Sequence, residues 1–238
     1  MKRTSADTKV TRVRTTIFSF AVIAAILIIG YGTLYSTGIT EGEYVEGDHY
    51  KLIDNPPRRR PGEAIKVTEF FSYGCIHCRN FDPLLENWQK TMPEGVTFSR
   101  SPIAFSQPIW SLLGQTYLTL VATGTLEENH SRIFRAIHDN GRQFLSADMM
   151  ADFVDGHGID KSLFLRNFNS PQVRRALQQA LEDERRLVIP SVPTLMVSDR
   201  YLINMDSRKT ALDIVDFLII REMAVRNPTT AETAQTES

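Results

Sequence analysis

The apolar and polar positions of this chain change period along its length, and each change marks a different element. Ile17–Tyr35 is apolar on all sides, about 19 residues without a charge, where a surface helix would keep one polar face. After a polar stretch, Tyr50-Lys51-Leu52-Ile53 forms a short candidate strand. Ala64–Phe71, with Ile65, Val67, Phe70 and Phe71, has the content of a buried strand. From His77 to Gln89 the spacing of Phe81, Leu84, Leu85 and Trp88 predicts a helix, and Val96–Ile103 reads as the next strand. Strand, helix and strand within about 40 residues make the minimal parallel βαβ unit.

The helical period then takes over from Gln107 to Leu187. Pro108 suits a first helical turn, and Gly124 suits the stop of that helix. A second helix is predicted over Ser131–His138, ending at Asn140-Gly141. Ser146 can cap a third that ends at Gly156, Asp160 starts a short fourth, and Ser170-Pro171 opens a long charged one to about Leu187. The aromatic and methionine positions of this stretch read as core. Strand signals return at Thr194–Val197 and Tyr201–Asn204, separated by the turn Ser198-Asp199-Arg200, and an amphipathic helix covers Thr210–Ala224. The tail from Asn227 is polar and threonine-rich and reads as disordered. Asn55–Gly62 contains three prolines and must be a loop. Its Arg58-Arg59-Arg60 suits either an anion patch or a solvated loop, and the solvated loop is the simpler reading.

Charge adds an orientation. Of 238 residues, 27 are Lys or Arg and 28 Asp or Glu, a net charge of −1 that gives no support to a nucleic-acid binder. The balance is uneven: Lys2, Arg3, Lys9, Arg12 and Arg14 face Asp7 alone before the apolar run, leaving −5 for the remainder. A helix of that run is about 29 Å long, close to the ~30 Å hydrocarbon core of a bilayer. The reading is one retained anchor with the basic flank in the cytoplasm and everything after Gly38 outside. Ser36-Thr37-Gly38 offers a cleavage site, but the run exceeds the usual 7–15 residues of a signal-peptide core. No cysteine lies nearby for lipidation.

Both cysteines fall in Cys75-Ile76-His77-Cys78, directly after a strand and at the start of a helix. That context makes C-x-x-C a thioredoxin-like redox motif. Unpaired N–H groups and the helix dipole favour a Cys75 thiolate, the attacking species in disulfide exchange. Cys78, one turn later, is placed to close a short disulfide. His77 can donate a hydrogen bond or a positive charge to the thiolate, which stabilises the dithiol and makes the disulfide a stronger oxidant. Zinc would need two further ligands from His49, His130, His138 and His157, none at ligand-pair spacing, so no metal is assigned. A structural disulfide would close only four residues and constrain the unfolded chain little.

Val192-Pro193-Thr194 precedes a strand. Behind such a motif Pro193, in preference to Pro190, is the expected cis-proline whose neighbours pair with an extended substrate chain. Glu69 interrupts an otherwise apolar strand. It is either an edge residue facing water or a buried proton acceptor with a raised pKa, and Arg100 on the neighbouring strand is a candidate partner.

Glu69-Phe70-Phe71-Ser72-Tyr73-Gly74-Cys75-Ile76-His77-Cys78, together with Val192-Pro193, resembles the DsbA family of disulfide oxidoreductases. The resemblance runs from about Gly47 to Ala224 and includes the helical insertion that separates this family from plain thioredoxins. It implies that Cys75 is the nucleophile, Cys78 the buried partner, His77 the thiolate stabiliser, Pro193 the cis-proline and Glu69 the buried acid. Arg100 stands where many members have lysine, and Ile76 where proline is common.

The resulting expectation is an α/β thioredoxin fold with an inserted helical domain, preceded by one transmembrane helix. Its parts are a cytoplasmic N-terminus (1–16), anchor (17–35), linker (36–47), first fold segment (48–106), insertion (107–189), second fold segment (190–226) and tail (227–238). The Cys75–Cys78 disulfide serves in place of a cofactor and is donated to reduced exported proteins. The resemblance implies reoxidation by a DsbB-like quinone-linked membrane protein. The catalytic domain is expected in the bacterial periplasm, held at the inner membrane as a monomer. The alternatives are an isomerase or reductase kept as the dithiol, and a non-enzymatic tethered binding module or holdase.

Overall fold

The structure, a computed structural model, describes residues 44–60 and 62–226. The expected anchor, most of the linker and the polar tail lie outside the described residues. Among the described residues, no helix is long and apolar enough to cross a membrane.

Five strands form one sheet: β1 (Tyr50–Leu52), β2 (Ile65–Phe71), β3 (Val96–Pro102), β4 (Thr194–Val197) and β5 (Tyr201–Ile203), in the order β1-β5-β4-β2-β3. Helix α1 (Ile76–Gln89) is the crossover between β2 and β3, which pair in parallel, while β4 pairs antiparallel with both β2 and β5. The parallel register sets Glu69 directly opposite Arg100. β2 is interior, with β3 on one side and β4 on the other. This disposes of an edge position for Glu69, which is 2% exposed.

Side chains alternate across a strand, so β4 serves two cores. Leu195 and Val197 join Phe81 and Leu85 of α1 and Ile214 and Leu218 of α7 (Arg208–Arg226). Met196 faces the other way, into a cluster supplied mainly by the helices between β3 and β4. Those helices are α2 (Pro108–Thr123), α3 (Leu126–Phe134), α4 (Ala147–Val154), α5 (Lys161–Phe168) and α6 (Pro171–Arg186). The whole is a thioredoxin fold split by a helical insertion.

Caps act where the sequence places them. Ser146, Asp160 and Ser170 each accept an N–H from three residues on, and Gly124 ends α2 at a φ of 70°. The exception is the helix expected over Ser131–His138. It begins five residues earlier, at Leu126, and continues past Phe134 as a π-helical turn over Arg135–Asp139. Its buried face is Asn129, His130, Ile133 and Phe134. Two of those four residues are polar, so the first turns carry no apolar signal.

Candidate active site

Residues 72–75 connect β2 to α1, and Ser72 shapes that turn. Its Oγ accepts the Gly74 N–H at 3.1 Å, and its carbonyl accepts the Cys75 N–H at 3.1 Å. Gly74 has no room for a side chain: a Cβ there would lie 2.5 Å from Nε1 of Trp110. Trp110, in the first turn of α2, therefore packs directly on the turn that carries Cys75.

Cys75 is the N-cap of α1. Its Sγ accepts the Cys78 N–H at 3.4 Å, satisfying one of the free donors of the first turn, and lies 3.3 Å from the Val192 carbonyl, to which the S–H donates when Cys75 is protonated. The Val192–Pro193 peptide bond is cis. Both thiols are free; Cys75 is 7% exposed and Cys78 wholly buried, while Ile76 and His77 face solvent.

The two thiols are driven in opposite directions. A hydrogen bond from the Cys78 thiol does most to lower the Cys75 pKa, to about 6. Burial opposes this shift, and the N–H groups of Cys78 and His77 and the His77 charge reinforce it. Burial pushes Cys78 far above the usual thiol range, and its bond to Cys75 and the charge of Glu69 push it further. One sulfur is thus held as a thiolate near neutral pH and its neighbour as a thiol.

Glu69 belongs to a buried polar chain. Arg100 donates from Nε to Glu69 Oε2 at 2.7 Å and from Nη2 to Asp82 Oδ1 at 2.7 Å. His130 Nε2 lies 3.1 Å from the same Asp82 oxygen, and its Nδ1 lies 2.8 Å from the Tyr73 hydroxyl. His138 Nε2 reaches the Tyr73 carbonyl at 2.8 Å. Burial raises the Glu69 pKa to about 7 against the attraction of Arg100. Asp82 is also penalised by burial, but His130 and the charges of Arg100 and Arg79 outweigh that and hold it below the usual carboxylate range.

All the residues singled out in the sequence, namely Cys75, Ile76, His77, Cys78, Glu69, Arg100, Val192 and Pro193, converge here. Tyr73, Asp82, Trp110, His130 and His138 were not singled out for this site. Asp82 had a signal: it sits four residues after Cys78, on the buried face of an amphipathic helix. His130 had none, standing 48 residues from Asp82 among histidines too scattered for zinc. Among the described residues no group of three or more His, Cys, Asp or Glu is arranged to hold a metal ion.

A thiolate and a buried thiol three residues apart, at the start of the first helix of a thioredoxin fold, are the working parts of a thiol:disulfide oxidoreductase. Known proteins similar to this chain agree. The thiol:disulfide interchange protein DsbA of Azotobacter vinelandii is 33% identical over 210 residues, covering 87% of this chain and 97% of the relative. That of Pseudomonas syringae pv. tomato is 34% identical over 215 residues, covering 89% and 97%. The crystal structure of Pseudomonas aeruginosa DsbA matches with a TM-score of 0.71 at 33% identity, covering 78% of this chain and 97% of that one. The oxidoreductase DsbA of Xylella fastidiosa also matches with a TM-score of 0.71, at 30% identity over 76% of this chain and 98% of its own. No family model matches the chain. The chain belongs to the DsbA family, and is an oxidoreductase rather than a non-enzymatic tethered module.

Proposed function

We propose that this chain is a thiol:disulfide oxidase of the bacterial periplasm, tethered to the inner membrane by Ile17–Tyr35 and acting as a monomer on reduced exported proteins. The observation that carries the direction of the reaction is the place of Cys75 at the N-cap of α1, where its Sγ accepts the Cys78 N–H at 3.4 Å; there its pKa is lowered to about 6 beside a far less acidic Cys78. A sulfur stable as a thiolate is a good leaving group, and its disulfide is readily reduced.

A substrate thiolate attacks Cys75 Sγ of the Cys75–Cys78 disulfide. The S–S bond breaks, a substrate–Cys75 disulfide forms, and the electron pair leaves on Cys78. Cys78 is the poorer thiolate of the two, so it takes up a proton, and Glu69, with a pKa of about 7, supplies it near neutral pH. A second substrate thiolate then attacks the substrate sulfur of the mixed disulfide and expels Cys75 as the stabilised thiolate. Two electrons have passed from substrate to enzyme. A DsbB-like quinone-linked membrane protein returns them to the respiratory quinones. Val192 and Pro193 are suited to pair with an extended substrate segment, Ile76 presents an apolar contact beside the sulfurs, and His77 contributes charge to the thiolate.

Equilibration of the full chain with glutathione tests the direction. A potential near the ~−120 mV of DsbA supports the oxidase, and one near the ~−270 mV of thioredoxin supports a reductase or isomerase instead. Carbonate-resistant membrane retention of the full chain, lost on deleting residues 17–35, tests the tether.

A further inference from the structure

The arginine loop, Arg58-Arg59-Arg60, takes no part in this chemistry; all three residues are exposed, and Arg59 alone is tied down by an ion pair, to Glu222. The loop forms one wall of a cavity of about 180 Å³, completed by Lys66 of β2, Arg200 of the β4–β5 turn and Arg226 of α7. Six cations therefore line one concavity. Among the described residues, Glu63 and Asp199 are the only carboxylates on its lining.

The cations differ in how they are neutralised. Arg59 donates to Glu222 Oε1 at 2.8 Å, and Arg226 to Glu222 Oε2 at 3.4 Å. Glu222 is wholly buried and also accepts the Tyr201 hydroxyl at 3.0 Å. Arg200 Nε stands 4.0 Å from the same carboxylate and, among the described residues, is a buried donor without a hydrogen-bond partner. One carboxylate thus serves three guanidiniums. Lys66 is paired with Asp199 at 2.9 Å. Arg58 and Arg60 are exposed and make no ion pair among the described residues. The set, Glu222 included, carries a net charge of +3.

We propose that this cavity binds a phosphate-class oxyanion, the phosphate of an anionic lipid headgroup or free phosphate, between Arg58, Arg60 and the Arg200 side. Guanidinium forks match phosphate oxygens two at a time, and a concave cluster of like charge is relieved by a counter-ion held within it. The volume limits the guest: pockets for drug-sized ligands run to roughly 300–1,000 Å³, so this one takes a single headgroup and not a nucleotide. The cavity adjoins the beginning of β2, whose seven residues separate it from the cysteine turn by about 20 Å. Occupancy there leaves the sulfur chemistry untouched.

The test uses the full chain in zwitterionic detergent micelles, and in nanodiscs of phosphatidylcholine with or without phosphatidylglycerol. Arginine side-chain NMR resonances are followed against inorganic phosphate in the micelles, and compared between the two kinds of disc. Arg58→Gln/Arg60→Gln removes two unpaired, exposed guanidiniums, so its melting temperature and disulfide-exchange rate should equal the parent's. Saturable shifts with phosphate that weaken at least about tenfold in the double variant, and fade with salt, support the site and assign free phosphate. Shifts of the same resonances on phosphatidylglycerol discs, absent on phosphatidylcholine discs and lost in the double variant, assign the headgroup; the membrane anchor and the basic N-terminus are the same in both proteins and cancel. If neither probe distinguishes the double variant from the parent, the site does not exist.

Discussion

His130 Nε2 donates to Asp82 Oδ1 across 3.1 Å, and it does so as a neutral imidazole. Burial lowers the His130 pKa against the pull of Asp82, and the charge of Arg100 lowers it further. The geometry fits a neutral ring: Nδ1 faces the Tyr73 hydroxyl at 2.8 Å, and a neutral ring that donates from Nε2 leaves Nδ1 free to accept the phenol's proton. The contact is therefore a hydrogen bond to a carboxylate rather than an ion pair. Arg100 is then the single cation shared by two buried carboxylates. Asp82, helped by His130, keeps its charge, and Glu69 carries the shortfall as a raised pKa.

The first consequence concerns pH. Glu69 has a folded pKa of about 7 and an unfolded one near 4.3. A raised pKa stabilises fully below the unfolded value, and the contribution is lost as pH rises through 7, a change of about 3 kcal/mol. Denaturant unfolding of the oxidised protein, in which Cys75 neither titrates nor adds its small upward push on Glu69, should show most of this decline between pH 4.5 and 8. Glu69→Gln should flatten it. A parent protein with no such decline would remove Glu69 as a proton donor.

His130→Phe keeps a ring in the cavity but leaves the Tyr73 hydroxyl and one side of Asp82 without their partner. Each unsatisfied buried group costs about 1–3 kcal/mol, so a loss of about 2–4 kcal/mol is expected from urea midpoints at pH 7. Asp82 would then draw more of Arg100, and the Glu69 midpoint should move above 7. A variant that unfolds like the parent contradicts the chain of bonds described here.

Cys75 gives the opposite pH trend, and only in the dithiol. Its pKa falls from about 8.5 in the unfolded chain to about 6. A depressed acid pKa stabilises fully above the unfolded value, and the gain is lost as pH drops through 6; at pH 7 it amounts to about 1 kcal/mol. The melting temperature of the reduced form, relative to the oxidised form, should therefore rise by about 2–4 °C from pH 5 to pH 7. His77→Ser removes a charge but keeps the backbone donor, so the Cys75 pKa should move only part of the way back. Each tenfold loss of thiolate stabilisation lowers the potential by about 30 mV. Thiolate absorbance against pH measures the first quantity, and glutathione equilibration the second.

Gly74→Ala should displace the Trp110 indole, because the new methyl carbon would sit 2.5 Å from Nε1. The turn itself is held by Ser72, so a drop of several-fold in exchange rate with a peptide thiol is expected, with about 1–3 kcal/mol of destabilisation from overpacking. Unchanged tryptophan fluorescence and rate would show that the indole does not wall the site.

Much of this was legible one-dimensionally. The C-x-x-C at a strand–helix junction, the capping serines and aspartate, and the β2–α1–β3 unit all declare themselves through neighbours within a turn or two. Even the Glu69–Arg100 pair follows from two short strands in parallel register. The same local logic failed for α3, where Asn129 and His130 occupy the buried face and erase the apolar period on which the reading depends.

The sequence by itself determined which atoms can react and where the chain must turn, since helix starts, strand alternation and proline positions act over a few residues. Tertiary structure alone decided which charges are buried and with whom. Tyr73 meets His130 across 57 residues of chain, and Arg59 meets Glu222 across 163. Desolvation and pairing depend on that convergence. The acidity of Cys75 begins with its place in the chain, whereas the proton affinity of Glu69 and the charge of the arginine pocket are products of the fold.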